Sequence, residues 1–185
     1  MLKIGILVCL FLCLSFNINQ STVIRDTPSD SIEYGIVKRI IDGDTFELEN
    51  GERVRLIGID TPEKYDSDKL NKDIEMSSKD RETIVQLGLM ASDYADSILS
   101  GKEVILIPDS TNSNRDRYKR LLRYVYYNDT IFFNLQIIKD GFAYAYTKYP
   151  FVYMEEFRQA ERDARENRKG LWGNVDFDEL KPNKK

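Results

Sequence analysis

Two short tetrads of alternating character, Thr45-Phe46-Glu47-Leu48 and Arg53-Val54-Arg55-Leu56, flank the dipeptide Asn50-Gly51. Alternation with a period of two marks a strand with one buried face, and Asn-Gly tolerates the positive φ angles of a tight turn. The stretch therefore reads as a β-hairpin with a two-residue turn. A hairpin cannot bury its apolar face alone, so further strands must complete a sheet. Ile36–Ile41 precedes it as a strand ending at the turn signal Asp42-Gly43-Asp44, and Glu103–Ile107 reads as another. Leu121–Tyr127 follows, joined around Asn128-Asp129 to Thr130–Phe133. Leu56-Ile57-Gly58-Ile59 is apolar on both faces, as expected where a curved sheet is covered on both sides.

Helical spacing appears in three places. Ile84, Leu87, Ala91, Tyr94, Ala95 and Ile98 form one apolar stripe, with Gly101 placed as a C-terminal cap. Asn134 is positioned to cap a short helix ending before Gly141, and Met154, Phe157, Ala160 and Ala164 mark a last helix closed by Gly170. Lys64–Arg81 is long, polar and rich in Asp, Lys and Ser, and reads as a mobile loop. Together these elements predict an α+β chain, mainly β: a five-stranded OB-fold barrel of antiparallel strands with about three helices.

The remaining composition limits the chemistry. The chain of 185 residues suits one domain, expected over residues 34–173, with appendages on both sides. Lys3 precedes an apolar run from Ile4 to Leu14, too short to span a bilayer but of signal-peptide length. Residues 1–20 are thus expected to direct secretion, with an uncleaved membrane anchor as the alternative. Residues 21–33 and 174–185 read as polar tails. Cys9 and Cys13 both fall in the signal segment, so a processed chain has no disulfide and no thiolate. Histidine is absent altogether, which excludes Ser-His-Asp and Cys-His triads and imidazole-ligated metals. Chemistry must run on carboxylates, Arg, Lys and Tyr, and a metal, if used, must be a hard cation such as calcium, magnesium or manganese.

Two acidic segments lie at the ends of neighbouring strands: Asp42-Gly43-Asp44-Thr45 and Asp60-Thr61-Pro62-Glu63. The hairpin, turning at Asn50-Gly51, sets Thr45 against a residue near Leu56 or Ile57 and brings Asp44 and Asp60 within reach of one ion. Carboxylates so close repel unless a cation or proton compensates. Arg55 lies on the strand leading to Asp60, and Arg120 follows the basic run Arg115-Asp116-Arg117-Tyr118-Lys119. Phosphodiester hydrolysis uses such groups: guanidinium pairs stabilise the extra negative charge of the pentacovalent transition state. Glu63 could deprotonate the attacking water. Alternatively Arg55 and Arg120 are surface ion-pair partners, and the basic run, with Arg123, is a solvated loop.

Three segments, Ile41–Thr45, Arg55–Glu63 and Asp116–Arg120, make the chain resemble the staphylococcal nuclease family in order and spacing. The likeness runs from about Tyr34 to Gly173 and includes Lys139–Ala143 and Gly170-Leu171-Trp172. What the resemblance implies is an OB-fold enzyme that uses one calcium ion, rather than magnesium or manganese, to cleave DNA and RNA to 3′-phosphorylated ends. It implies Asp44 and Asp60 as carboxylate ligands, Thr61 as a carbonyl ligand and Asp42 behind them. Glu63 would activate water, Arg55 and Arg120 clamp the reacting phosphate, and Arg117 and Tyr118 hold a terminal phosphate. Tyr149 would lie against a base, where stacking tolerates any sequence; packing at the core or rim is the competing reading for Tyr144, Tyr146 and Tyr149. A monomer without a stable membrane partner is implied as well.

Three features depart from that pattern: the length of Lys64–Arg81, Lys119 in place of a glycine, and a formal charge of −4. A non-catalytic nucleic-acid- or protein-binding module is the main alternative, though it leaves the full acidic set unexplained. An extracellular calcium-binding or adhesion module leaves Arg55 and Arg120 without a task.

Overall fold

The computed structural model describes residues 32–76 and 80–173, so the expected signal segment, nearly all of the N-terminal tail and the C-terminal tail lie outside the described residues. The chain begins with an antiparallel meander of β1 (Glu33–Asp42), β2 (Thr45–Leu48) and β3 (Arg53–Leu56). A short β4 (Ile59–Asp60) leads to two helices, α1 (Asp68–Met76) and α2 (Arg81–Leu99). Then come β5 (Glu103–Ile107), β6 (Leu121–Tyr127) and β7 (Ile131–Phe132), followed by α3 (Phe133–Lys139). The short β8 (Tyr144–Ala145), α4 (Met154–Glu166) and a 3-10 turn at Gly170–Trp172 complete the order.

Strands β3, β2, β1, β5 and β6 are neighbours in that order, and β3 also pairs with β6, which closes a five-stranded barrel. That closing pair is parallel, Val54 opposite Leu121 and Leu56 opposite Arg123, where an all-antiparallel barrel was expected. Parallel pairing arises because β3 and β6 are not consecutive in the chain; the connection between them carries α1, α2 and β5. Two register irregularities bend β1, between Val37 and Arg39 and between Ile40 and Asp42, so that it pairs with β2 at one end and β5 at the other. Val37, Phe46, Val54, Val104, Leu106 and Val125 are buried in the barrel, and β4 pairs with β8 beside it.

The central hairpin forms, but its turn has one residue more than the sequence suggests. Gly51 N–H donates to Leu48 O at 2.9 Å, and Leu48 N–H to Glu52 O at 2.9 Å. Gly51 adopts φ +85, so Glu49-Asn50-Gly51 forms a three-residue turn with a glycine bulge. Thr45 then faces Arg55 rather than Leu56 or Ile57. The difference matters because facing residues share a side of the sheet, and a slip of one residue reverses sides.

Lys64–Arg81 is not a plain loop, since it carries α1. The Ser67 hydroxyl accepts a hydrogen bond from Leu70 N–H at 3.0 Å, capping the helix, and Leu70 is buried where α1 packs on α2. Asn134 does not cap α3, whose N-cap is Phe132 with no side-chain bond. Its side chain is fully buried, accepts from Val125 N–H at 2.9 Å and donates to Ile57 O at 3.0 Å. It joins β6 to the β3–β4 bend, satisfying backbone groups whose isolation would cost about 1–3 kcal/mol each. Helix α4 ends at Glu166, before Gly170.

Candidate active site

The β1–β2 turn holds the first acidic segment. Asp42 Oδ1 accepts from Asp44 N–H at 3.2 Å, which fixes the turn as an Asx motif. A Cβ at Gly43 would stand 2.8 Å from Thr61 Cγ2 and 2.9 Å from Ala91 Cβ, so only glycine lets the turn lie between β4 and α2. That closeness brings the second acidic segment in: Thr61 N–H donates to Asp44 Oδ2 at 3.2 Å, and Thr45 Oγ1 donates to Asp44 Oδ1 at 2.9 Å. Asp44 is 5% exposed, so its charge is held almost wholly by protein groups.

Arg55 binds the two segments together. From its place opposite Thr45, its guanidinium sits 2.5 Å (Nη1) from Asp44 Oδ2 and 3.2 Å (Nη2) from Asp60 Oδ1. The Nη1 contact is an ion pair without hydrogen-bond alignment, leaving that buried nitrogen with a directional bond unmade. Arg120 joins through Thr45, donating from Nη1 to Thr45 Oγ1 at 3.2 Å. Asp116 steadies it by accepting from Arg120 Nε at 2.7 Å and from the Arg120 backbone N–H at 3.0 Å. The turn that delivers Arg120 has Lys119 at φ +66. Lysine thus adopts the left-handed conformation that a glycine would occupy freely.

Glu63 follows Pro62 on a segment pressed against α2. A Cβ at Gly88 would lie 2.7 Å from Glu63 O and from Pro62 O, so this glycine sets how near Glu63 comes. The Glu63 carboxylate is touched by Lys69 Nζ at 2.9 Å and by Ser67 Oγ at 3.4 Å. Lys69 also reaches Asp60 Oδ1 at 3.0 Å and Thr61 O at 2.9 Å.

Burial pushes the Asp42 carboxyl up to about 7, helped by the charge and hydrogen bonding of Asp44 beside it. Burial also works against an ionised Asp44, but the Arg55 guanidinium, the hydrogen bonds with Asp42 and Thr45, and the charge of Lys69 together outweigh it and hold Asp44 below the usual carboxylate range. Asp60 is raised, because burial outweighs the pull of Lys69. Among the described residues no three acidic side chains gather closely enough to hold a metal by themselves. Asp44 and Asp60 meet at Arg55, and Asp60, the Thr61 carbonyl and Glu63 meet at Lys69.

Asp42, Asp44, Asp60, Thr61, Glu63, Arg55 and Arg120 thus form one connected network. Beyond it, the Arg117 guanidinium covers the Tyr118 ring at 4.6 Å and Arg120 approaches the same ring at 5.4 Å. Tyr118 is 63% exposed, as a residue that meets a ligand from solvent must be. Tyr149 is exposed too and pairs with Tyr146 at 6.2 Å. Tyr144 packs edge-on to Trp172.

The basic run is not uniformly solvated. Arg123 is buried and pairs with Glu33 at 2.6 Å, and Arg115 pairs with Glu52 at 2.7 Å. Two contributors escaped the sequence reading. Gly88 looks like any small residue on a helix, and Lys69 is one of several lysines in a polar segment, distinguished only by where α1 docks.

The family model described as staphylococcal nuclease homologue matches residues 53–174. An uncharacterized protein of Methanocaldococcus jannaschii is 35% identical over 85% of this chain and 79% of its own length. The thermonuclease of Staphylococcus hyicus is 32% identical over 75% of each chain. The endonuclease YhcR of Bacillus subtilis is 32% identical over 80% of this chain, which spans only 12% of that longer protein.

Proposed function

The chain belongs to the staphylococcal nuclease family, and from that premise we propose that it is a secreted endonuclease that uses calcium to hydrolyse DNA and RNA to 3′-phosphorylated ends. The names thermonuclease and endonuclease carried by its relatives support a nuclease. The observation that carries the proposal is the single network linking Asp44, Asp60 and Thr61 to Arg55, through Thr45 to Arg120, and through Lys69 to Glu63.

The donor set fits a hard cation. Carboxylate and carbonyl oxygens are the ligands calcium takes, and positive side chains already converge on them. Asp44, Asp60 and Thr61 would hold the ion with Asp42 behind them, and it would supply positive charge opposite the phosphate. Magnesium or manganese are expected to serve less well.

The rest falls to the chain's own groups. Arg55 and Arg120 bind the non-bridging phosphate oxygens and bind more tightly as charge builds in the transition state. Glu63 accepts the proton of the attacking water as its oxygen bonds to phosphorus. The bond to the 5′ oxygen breaks, that oxygen takes a proton from solvent water to leave as a hydroxyl, and the phosphate stays on the 3′ side. Arg117 and Tyr118 steady a terminal phosphate, and Tyr149 offers a ring to a base without reading sequence. The protein acts as a monomer.

Incubating the purified protein with single-stranded DNA or RNA tests this directly. Both substrates should be degraded with added calcium and spared in excess chelator; undiminished cleavage in chelator overturns the metal requirement. Glu63→Gln and Arg120→Ala should each lower kcat by about 10² or more with circular dichroism unchanged, as expected for loss of a base or of a transition-state donor. Sequencing the N-terminus of protein recovered from medium tests secretion, since retention in membranes with Met1 intact would mean an anchor.

A further inference from the structure

Lys69 stands where a cation is wanted. Its ammonium has three N–H groups and meets three oxygens: Asp60 Oδ1 at 3.0 Å, Thr61 O at 2.9 Å and Glu63 Oε1 at 2.9 Å. Two of these belong to the residues read above as calcium ligands and the third to the residue read as the base, so the inference rests on that reading. The contact is set up by α1: Ser67 caps the helix and also touches Glu63, and Leu70 is buried beside Lys69. Arg81 pins the approach from the far side, 2.5 Å from Asp66 and 2.7 Å from Asn71 Oδ1.

We propose that Lys69 is a tethered competitor of the metal ion, a built-in plug that α1 inserts into the carboxylate site until a divalent cation displaces it. Inserted, the ammonium neutralises the repulsion among Asp44, Asp60 and Glu63, satisfies the Thr61 carbonyl and ties up Glu63. One oxygen set cannot close around an ammonium and a calcium ion together, because each needs the oxygens drawn in at its own contact distance. Calcium therefore binds only the fraction of molecules in which the lysine is withdrawn, which lowers its apparent affinity by that fraction. Withdrawal frees Glu63 in the same step, so metal binding and release of the base are one event. Helix α1 is suited to the task, being a short polar helix whose buried anchor among the described residues is Leu70.

Calorimetric titration of the full-length protein with calcium chloride, alongside Lys69→Met and Lys69→Arg, tests the competition without reference to activity. Lys69→Met should bind calcium at least about tenfold more tightly, the factor set by a site open in one molecule of ten. The same variant should melt at lower temperature in chelator, where its carboxylates have lost their counter-charge, and Lys69→Arg should recover part of that loss. Equal or weaker calcium binding by Lys69→Met overturns the proposal while leaving the calcium site intact. Absence of calcium binding by wild type and variant alike overturns both readings. A measurement on the wild type removes any dependence on how the variants fold. Lys69, followed by mass spectrometry during amine acetylation, should be modified several-fold faster with calcium than with chelator, and equal rates in both overturn the plug.

Discussion

Lys119 holds φ +66 with a full side chain, a conformation costing about 1–2 kcal/mol in a residue other than glycine. Lys119→Gly should therefore raise the free energy of urea unfolding by about 1 kcal/mol, less what glycine loses in backbone entropy; no gain would mean that the lysine side chain is held by something else. At Asp109 the balance is reversed. Its buried carboxylate accepts from Thr111 N–H at 2.6 Å, Val152 N–H at 3.0 Å and the hydroxyls of Thr111 and Tyr124. Burial pushes this carboxyl up, but those donors outweigh it and the folded pKa falls below the ordinary 3.8. A lowered pKa stabilises fully above the ordinary value and is lost as pH falls toward the folded one. Asp109→Asn should cost about 2 kcal/mol at pH 7, and the gap to wild type should narrow below about pH 4. Of the site, Asp44 and Asp60 were legible in sequence because they stand at strand ends, and Arg55 was legible as a residue of the strand between them. Lys69 was not, because nothing local says that a polar stretch will fold back onto its own neighbours.

At the scale of elements, the hairpin and α2 followed from periodicity, since apolar residues repeating at two or at three to four positions admit few other structures. The hairpin's register did not. Asn-Gly serves a two-residue or a three-residue turn, and only the bonds from Gly51 to Leu48 and from Leu48 to Glu52 separate them. That single residue puts Arg55 on the same side as Thr45 and so into the site. The contact between α2 and the Glu63 segment gives a sharper test. Gly88→Ala adds a methyl against backbone, not against a side chain that could turn away. We expect a loss of about 1–3 kcal/mol in stability and a fall in kcat of tenfold or more with KM little changed, measured by steady-state kinetics on folded protein. Unchanged kcat would mean that Glu63 need not sit so near the helix.

For the molecule as a whole, the formal charge of −4 sets how nucleic acid is held. Arg115 and Arg123 are committed to Glu52 and Glu33, which leaves Arg117, Lys119 and Arg120 as the cations of this basic run for phosphate. Binding of a single-stranded oligonucleotide in chelator, followed by fluorescence anisotropy, should give a log–log salt slope of roughly −1.5 to −3, as for two to four phosphates. A much steeper slope would mean a basic surface outside this turn. The closed five-stranded barrel was legible in the sequence but not its parallel seam, because no short stretch of sequence encodes the direction in which β3 meets β6. That parallel seam also has a kinetic meaning. It joins segments far apart in the chain, so its loop-closure cost must be met before the contacts that reward it exist, and it should form late and slowly. Arg55 stands on one side of the seam, and Arg120 immediately precedes the other. Until the ring shuts, Arg55 and Arg120 are not brought together, so on the function proposed above a chain still unfolded has no assembled nuclease site.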